Sequence, residues 1–518
     1  MKLNLNHLAF PFILILLAFA CAPKVDYPVL VEDTAHLRDS TMAPFYHGVA
    51  SGDPLQDRVI IWTRVTPMDS LPSIKVAWEV ASDETFSEIV NSGSQETDPS
   101  KDYTVKVDVD GLEEGARYFY RFKTLGKTSM TGKTKTAAQD LQSVSFGVVS
   151  CSNYDFGYFN SYGALAKEEL DAVIHLGDYI YEYPPGYYGD STAGRTLIPE
   201  REIVTLQDYR SRYSQYRLDK DLIAAHASHP FINIWDDHEI TNDSYKDGAK
   251  NHQPEEEGSY EERKQVARQA YYEWLPIRDG DKHFRKFKFG AMADLIMLDE
   301  RLEGRTQQVD SLEDPTLMDS SRTMLGMEQR AWFIDQLKSS QAKWKVIGNQ
   351  VIFSYLNYGR PTFKINLDSW DGYPVERTLI SNTIKETPIE NVVFITGDTH
   401  SSWAFEVTDN PFENYDQATG EGAYAVEFGT TSISSGNSNE YAPDSLVRLH
   451  EKKIINTDIN PHLKYGNMRD HGYLVLELTQ EKATATFKFL ETIQEVGNYK
   501  IKEVNTYFVN DGEVKLRQ

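Results

Sequence analysis

Apolar runs of strand length that each end in acid, base or thiol residues constrain this chain more than any other feature. Phe146–Ser150 ends at Cys151, and Ala172–Leu176 ends at Gly177-Asp178-Tyr179-Ile180-Tyr181. Phe231–Trp235 ends at Asp236-Asp237-His238-Glu239, and Asn391–Thr396 ends at Gly397-Asp398-Thr399-His400. Buried strands read as short apolar runs bounded by turn signals. Open α/β sheets build their sites at the carboxyl ends of such strands. Strand ends carrying Cys, Asp, Tyr and His therefore predict one convergent metal site assembled from distant sequence.

A length of 518 residues leaves room for more than one domain, at roughly 100–200 residues each. The 30 Tyr, 24 Phe and 8 Trp supply large cores and argue against disorder of the whole chain. A formal net charge of −25 excludes a general basic surface, so no stable nucleic-acid binding is expected. Phosphate chemistry stays open, because bound cations invert the local charge.

The N-terminus reads as a targeting segment. Lys2 precedes the apolar run Leu8–Ala20, which is too short to span a bilayer comfortably. It closes on Ala18-Phe19-Ala20-Cys21, which resembles a bacterial lipoprotein processing site and would leave Cys21 as the lipidated first residue. The alternative is an ordinary signal peptide with Cys21 incidental. In either case the chain is expected to be exported, facing the periplasm or the cell surface. The other cysteine is Cys151, so no disulfide is expected. A lone Cys is then either a small buried apolar residue or a thiolate metal ligand.

Residues 22–43 read as a polar tether. Residues 44–136 read as all-β, with Val59–Arg64, Ile74–Ala81, Tyr103–Val109 and Tyr118–Thr124 spaced as in a sandwich. The stretch Gly111–Tyr120 resembles the tyrosine-corner region of fibronectin type III domains. After a linker over Lys133–Gln142, strand and helix alternate to the C-terminus. Val144–Ser150, a helix over Ser161–Glu169 and Ala172–Leu176 form a βαβ unit, which predicts parallel strands. Phe231–Trp235, Leu295–Leu298, Trp344–Ile347 and Asn391–Thr396 are later strands, and Met327–Ser339 is an amphipathic helix. Tyr473–Thr479 and Ala483–Leu490 read as antiparallel. Tyr183–Thr205, rich in Gly, Pro and Tyr, reads as a loop beside the site, and Gln253–Glu262 as a solvated acidic surface.

Gly177 lets the backbone turn sharply, so that Asp178 can present a carboxylate and Tyr181 can return to the site as a phenolate. Thiolate and phenolate are anionic donors suited to a ferric ion. The other reading is a turn with a buried tyrosine. Asp236, Asp237 and Glu239 crowd His238 and would repel one another unless cations neutralise them. His238 can give a proton to a leaving oxygen or bind a phosphoryl oxygen. Asp398 and His400 can both face a cation across a turn, or the segment can cap a helix. Arg301 follows a strand and is expected to clamp a phosphate, the alternative being a salt bridge. Asn153, Asn242 and Asn349-Gln350 are possible oxygen ligands or phosphate contacts. Arg377 and the histidines His226, His229, His462 and His471 read as structural.

Taken together, these segments resemble the PhoD-type alkaline phosphatases, a branch of the calcineurin-like metallophosphoesterases. The matching text is Gly48-Val49-Ala50-Ser51-Gly52-Asp53-Pro54, Trp62-Thr63-Arg64, Ser150-Cys151 and His175-Leu176-Gly177-Asp178-Tyr179-Ile180-Tyr181-Glu182-Tyr183. It continues through Trp235-Asp236-Asp237-His238-Glu239, Trp274-Leu275-Pro276-Ile277-Arg278, Trp370-Asp371-Gly372-Tyr373-Pro374 and Gly397-Asp398-Thr399-His400. The resemblance implies an α/β fold, a two-sheet αββα metallophosphoesterase domain over 137–518 preceded by a small fibronectin-III/Ig-like β-sandwich. It implies a metal-dependent alkaline phosphatase that hydrolyses phosphomonoesters or phosphodiesters by attack of a metal-bound hydroxide. The expected cofactors are Fe(III) and Ca(II). Cys151, Asp178, Tyr181 and His400 would hold iron, and Asp178, Asp237 and Asp398 would hold calcium. His238 would stabilise the leaving group, with Arg301 as an extra clamp and Asn153, Asp236 and Asn242 in secondary contacts. PhoD proteins often carry a twin-arginine signal, which the N-terminus here lacks. A phospholipase-D-like or nucleotide-fragment phosphodiesterase remains an alternative, as does a non-catalytic surface binding protein.

Overall fold

The structure is a computed structural model that describes residues 32–190, 193–387, 389–455 and 458–518. The leader over 1–21 and the lipidation site Cys21 lie outside the described residues. Among the described residues, no helix is long and apolar enough to cross a membrane.

Two large mixed sheets organise the molecule. In the nine-stranded sheet, Ser143–Val149, Ala172–His175 and Pro230–Asn233 run parallel, with Ala172 opposite Phe146 and Val173 opposite Phe231. The expected antiparallel runs extend this sheet as Gly472–Thr479, Lys482–Leu490 and Ile501–Asn510. The seven-stranded sheet has a parallel centre of Ala293–Met297, Trp344–Gly348, Val392–Thr396 and Ala423–Gly429.

Alternation along each strand assigns its side chains to one core or another. Ala172 and Ile174 join Leu295, Met297, Val393 and Ile395 in a core shared by both sheets. Val173, between them in sequence, packs with Tyr209, Tyr213 and Trp274 from the helices Leu206–Arg217 and Tyr260–Trp274. On the other sheet, Ile296 and Phe394 pack with Phe333, Leu337, Ile380 and Ile384 from the helices Gly326–Ser339 and Pro374–Glu386. Strands buried on both faces have to be apolar at every position, which is why these runs are unbroken.

Three expectations need correction. The helix expected over Ser161–Glu169 is only Asn160–Leu165, because Lys167, Glu168 and Glu169 offer no apolar face to continue it. The N-terminal β region is not separate in hydrogen bonding. Val49–Gly52 pairs in parallel with Pro230–Asn233, and it brings Val59–Arg64 and Thr104–Val109 into the nine-stranded sheet. A five-stranded sheet containing Ile74–Ala81, Ile89–Thr97 and Arg117–Thr124 packs over them, with Ile61, Val105, Val76 and Phe122 in one core. The polar, mostly exposed strand Ile89–Thr97 escaped the sequence reading for lack of an apolar face. Tyr118 does bond back to the chain, its hydroxyl accepting from the Glu113 N–H at 2.8 Å.

The third correction concerns the tether. Residues 32–43 are docked onto the body, with Glu32 on Arg64 at 2.7 Å and Thr34 Oγ1 2.9 Å from Ser214 Oγ. Arg64 is buried, also pairs with Asp102 at 2.7 Å and lies over the Trp274 ring. Removing one partner of a buried ion pair costs about 3–5 kcal/mol. Arg64→Ala should lower urea-unfolding stability by about that much and open residues 32–43 to proteolysis. An unchanged midpoint would show that the docked segment contributes nothing to the fold.

Candidate metal centre and active site

The strand ends foreseen as site-bearing converge on one edge of the two sheets. Directly beyond them the chain enters the left-handed region at Cys151 (φ 61°), Asp178 (φ 56°), Asp398 (φ 61°) and His400 (φ 53°). Non-glycine residues rarely adopt that conformation, and they persist in it only where surrounding bonds hold them. Glu239 supplies such bonds. Its carboxylate accepts the backbone N–H groups of Asp178 (3.1 Å), Tyr179 (2.6 Å) and Asp236 (2.9 Å), tying two strand ends together. Gly177 (φ 107°) sits against Asp236, and a Cβ there would lie 2.4 Å from the Asp236 nitrogen. The Gly at this turn is therefore required by a close approach as well as by its dihedral angle.

Three groups of donors lie together, each with its ligand atoms within 4.8 Å of one another. Cys151, Asp178 and His400 form the first. Tyr181 joins it, donating to Asp178 Oδ2 at 3.0 Å with its hydroxyl 3.2 Å from His400 Nε2. Ser435 Oγ donates to that hydroxyl at 2.7 Å. His400 Nδ1 donates to the Gly436 carbonyl at 3.1 Å, which leaves Nε2 with its lone pair. Asp178, Asp237 and His238 form the second group, and Asp237, Asp243 and Asp368 the third. Asp398 lines the same cavity but stands outside these groups.

The electrostatics favour cations. Burial pushes Asp178 and Asp398 well above the usual carboxylate range, and repulsion from Asp236 and Asp237 adds to it. Asp178 Oδ1 is buried and has no hydrogen-bond partner among the described residues. Burial holds His400 down at about 4, so its ring is neutral and able to ligate. A thiol, a phenol, a neutral imidazole and an orphaned carboxylate oxygen suit a ferric ion, and clustered carboxylates suit a hard divalent cation. The residues present thus fit the expected iron and calcium.

His238 faces the opposite way electrostatically. Burial alone would lower its pKa, but Asp237, Glu182 and Asp178 raise it well above the ordinary histidine value. Its Nδ1 donates to Glu182 Oε2 at 2.7 Å, and its ring lies 4.2 Å from that of Tyr181. Nε2 is left toward Asp237, 3.9 Å away. Glu182 is fully buried and also accepts from Asn242 N at 2.8 Å and Asn251 Nδ2 at 3.0 Å.

Arg301 corrects the expectation of a substrate clamp. Its guanidinium is fully buried and absent from the cavity wall. It is spent on Asp236 and on Asp368 (2.7 Å), with Asp398 at 3.5 Å and Asp237 at 3.8 Å. It is a counter-charge that positions four carboxylates. Asp236 accordingly lies behind the site. Asn242 lines the cavity of about 250 Å³, whereas Asn153 is buried and donates to the Tyr188 carbonyl. Arg377 is structural, donating to Asp371 Oδ1 at 2.6 Å.

Sequence reasoning missed Glu182, Asp243 and Asp368. Glu182 carried a signal, standing directly after Tyr181 in the same turn. Neither Asp243 nor Asp368 follows a strand directly, so nothing local marks them.

Buried acidic donor groups beside a histidine whose pKa they raise, at the strand ends of a two-sheet α/β body, define a hydrolase site for phosphoric esters. The comparisons agree. Residues 146–487 match the model of the PhoD-like phosphatase family, and 32–138 match the PhoD-like phosphatase N-terminal domain. Alkaline phosphatase D of Bacillus subtilis (strain 168) is 39% identical over 481 residues, covering 88% of this chain and 79% of that protein. A solved structure of PhoD superposes with a TM-score of 0.81 at 35% identity, covering 92% of each chain. The chain belongs to the PhoD-like phosphatase family.

Glu182→Gln removes the carboxylate that helps hold His238 protonated. A raised histidine pKa keeps the proton on as pH rises, so its loss should move the alkaline limb of the rate profile to lower pH. Partners behind an active group typically matter about 10–100-fold, and peak turnover should fall within that range. A pH–rate profile of para-nitrophenyl phosphate hydrolysis checks both. An unshifted limb would mean that His238 is not the titrating acid.

Proposed function

We propose that this chain is an exported, membrane-anchored alkaline phosphatase dependent on iron and calcium, acting on phosphomonoesters and phosphodiesters. The observation that carries this reading is the mixed donor set Cys151, Asp178, Tyr181 and His400 directly beside Asp237 and His238. In it, Cys151, Asp178, Tyr181 and His400 would hold Fe(III). Asp178 and Asp237 would hold Ca(II), with Asp398 in the cavity wall and Asp243 and Asp368 offering a further carboxylate pair. When bound, such cations neutralise phosphoryl oxygens and lower the pKa of water.

The protein's own residues do the rest. Glu182 fixes the His238 ring through Nδ1, so the proton that leaves is the one on Nε2. His238 gives it to the departing ester oxygen as the phosphorus–oxygen bond breaks. Asp237, held well ionised at about 2 by Arg301 and His238 in spite of burial, keeps the imidazolium charged until that moment. Tyr183 and Tyr188 line the cavity. Export and anchoring rest on the apolar N-terminal run and Cys21.

The test is hydrolysis of para-nitrophenyl phosphate and of bis-para-nitrophenyl phosphate at alkaline pH by protein lacking residues 1–21. Chelator stripping should abolish turnover, and iron with calcium should restore it. Cys151→Ser should cost at least about 100-fold and lower the bound iron. Asp243→Asn or Asp368→Asn should raise the calcium needed for half-maximal activity by about tenfold. The ratio of the two substrates separates phosphatase from diesterase. Full activity after stripping would contradict the proposal, and inactivity with metals bound would favour a binding role.

A further inference from the structure

A second cavity of about 460 Å³ opens beside the catalytic one and shares Asp243, Asn366 and Asp368 with it. Pockets that enclose an organic ligand span roughly 300–1,000 Å³. The catalytic cavity falls below that range and its neighbour falls within it. Two chain segments wall the groove, 307–313 and 361–368. Neither contributes to the strand ends that build the site.

The lining has a chemical bias. Phe363 is 43% exposed, its ring 5.1 Å from that of Tyr358, so it offers a supported flat apolar face. Gln308 lines the groove, and its Oε1 is buried without a hydrogen-bond partner among the described residues. An unpaired amide oxygen calls for a hydroxyl or N–H donor. The ionisable lining is Asp243, Asp310, Glu313 and Asp368 against Lys250 and Lys364, and Lys250 already lies 3.5 Å from Asp243. With Lys250 paired to Asp243, Asp310 and Glu313 face Lys364 alone away from the metal groups, and a second anionic group placed there would be repelled.

Resting on the phosphoesterase reading above, we propose that this groove is the specificity site for the ester's organic group. It takes an uncharged, hydroxyl-bearing group of nucleoside size with one flat face. The flat face stacks on Phe363, a donor meets Gln308, and Asp310 and Glu313 turn away groups that carry further negative charge. Stacking and a paired amide both act on substrate binding, so their loss appears in KM.

The experiment compares chromogenic esters on the metal-loaded enzyme lacking residues 1–21. One is para-nitrophenyl phosphate, which carries no nucleoside. The second is the para-nitrophenyl ester of thymidine monophosphate, and the third is its analogue with an extra phosphate on the sugar. The wild type should prefer the second over the third by about tenfold or more in kcat/KM. Phe363→Ala combined with Gln308→Ala should raise KM for the second by about tenfold and leave the small ester within about twofold. Asp310→Asn with Glu313→Gln should narrow the gap between the second and third. Turnover of the small ester with no variant effect on the nucleoside ester, or an equal loss on both, overturns the groove assignment alone. No turnover of any ester by the wild type overturns the activity and the groove together.

Discussion

Six aspartates, Asp178, Asp236, Asp237, Asp243, Asp368 and Asp398, crowd one region, and a single buried guanidinium, Arg301, contacts four of them. Uncompensated buried charge is among the most expensive things a fold can hold. Arg301, Arg305 and His238 offset part of it. The remainder raises the carboxyl groups nearest the cavity, Asp178 and Asp398, and leaves an oxygen of Asp178 unpaired. On the proposed reading cations would complete this arrangement, and phosphate binding by so acidic a protein would follow from them.

The fold exists to impose that crowding. Strands buried on both faces stop at the same edge, and three of them turn through left-handed residues that carry ligand groups, at Cys151, Asp178 and Asp398. Glu239 locks two of these turns by accepting three backbone N–H groups, and Glu182 locks the histidine. Arg301 sets the aspartates from behind. Few of these supports touch the cavity, yet each fixes a donor to within the tolerance that chemistry at the site requires.

Much of this was legible in the sequence because two rules act locally. A strand buried on both faces must be an apolar run, and a site at its end must follow directly in the chain. Cys151, Asp178, Asp237, His238, Asp398 and His400 obey both and were visible. Asp243 and Asp368 obey neither, since their loops are placed by tertiary packing. Arg301 was visible as a residue and misread in role. Its position after a strand matched the pattern, but the burial that spends its donors on aspartates is a property of the assembled sheets. The hydrogen bonding that crosses the junction near residue 136 was invisible for a related reason. Strand pairing between Val49–Gly52 and Pro230–Asn233 joins segments distant in sequence, and no local pattern records a partner.

Anomalous scattering at the iron edge from crystals of the metal-loaded protein tests the central claim most directly. One iron peak is expected, bounded by Cys151 Sγ, an Asp178 oxygen, the Tyr181 hydroxyl oxygen and His400. A peak placed elsewhere, or none in protein that is enzymatically active, would contradict it.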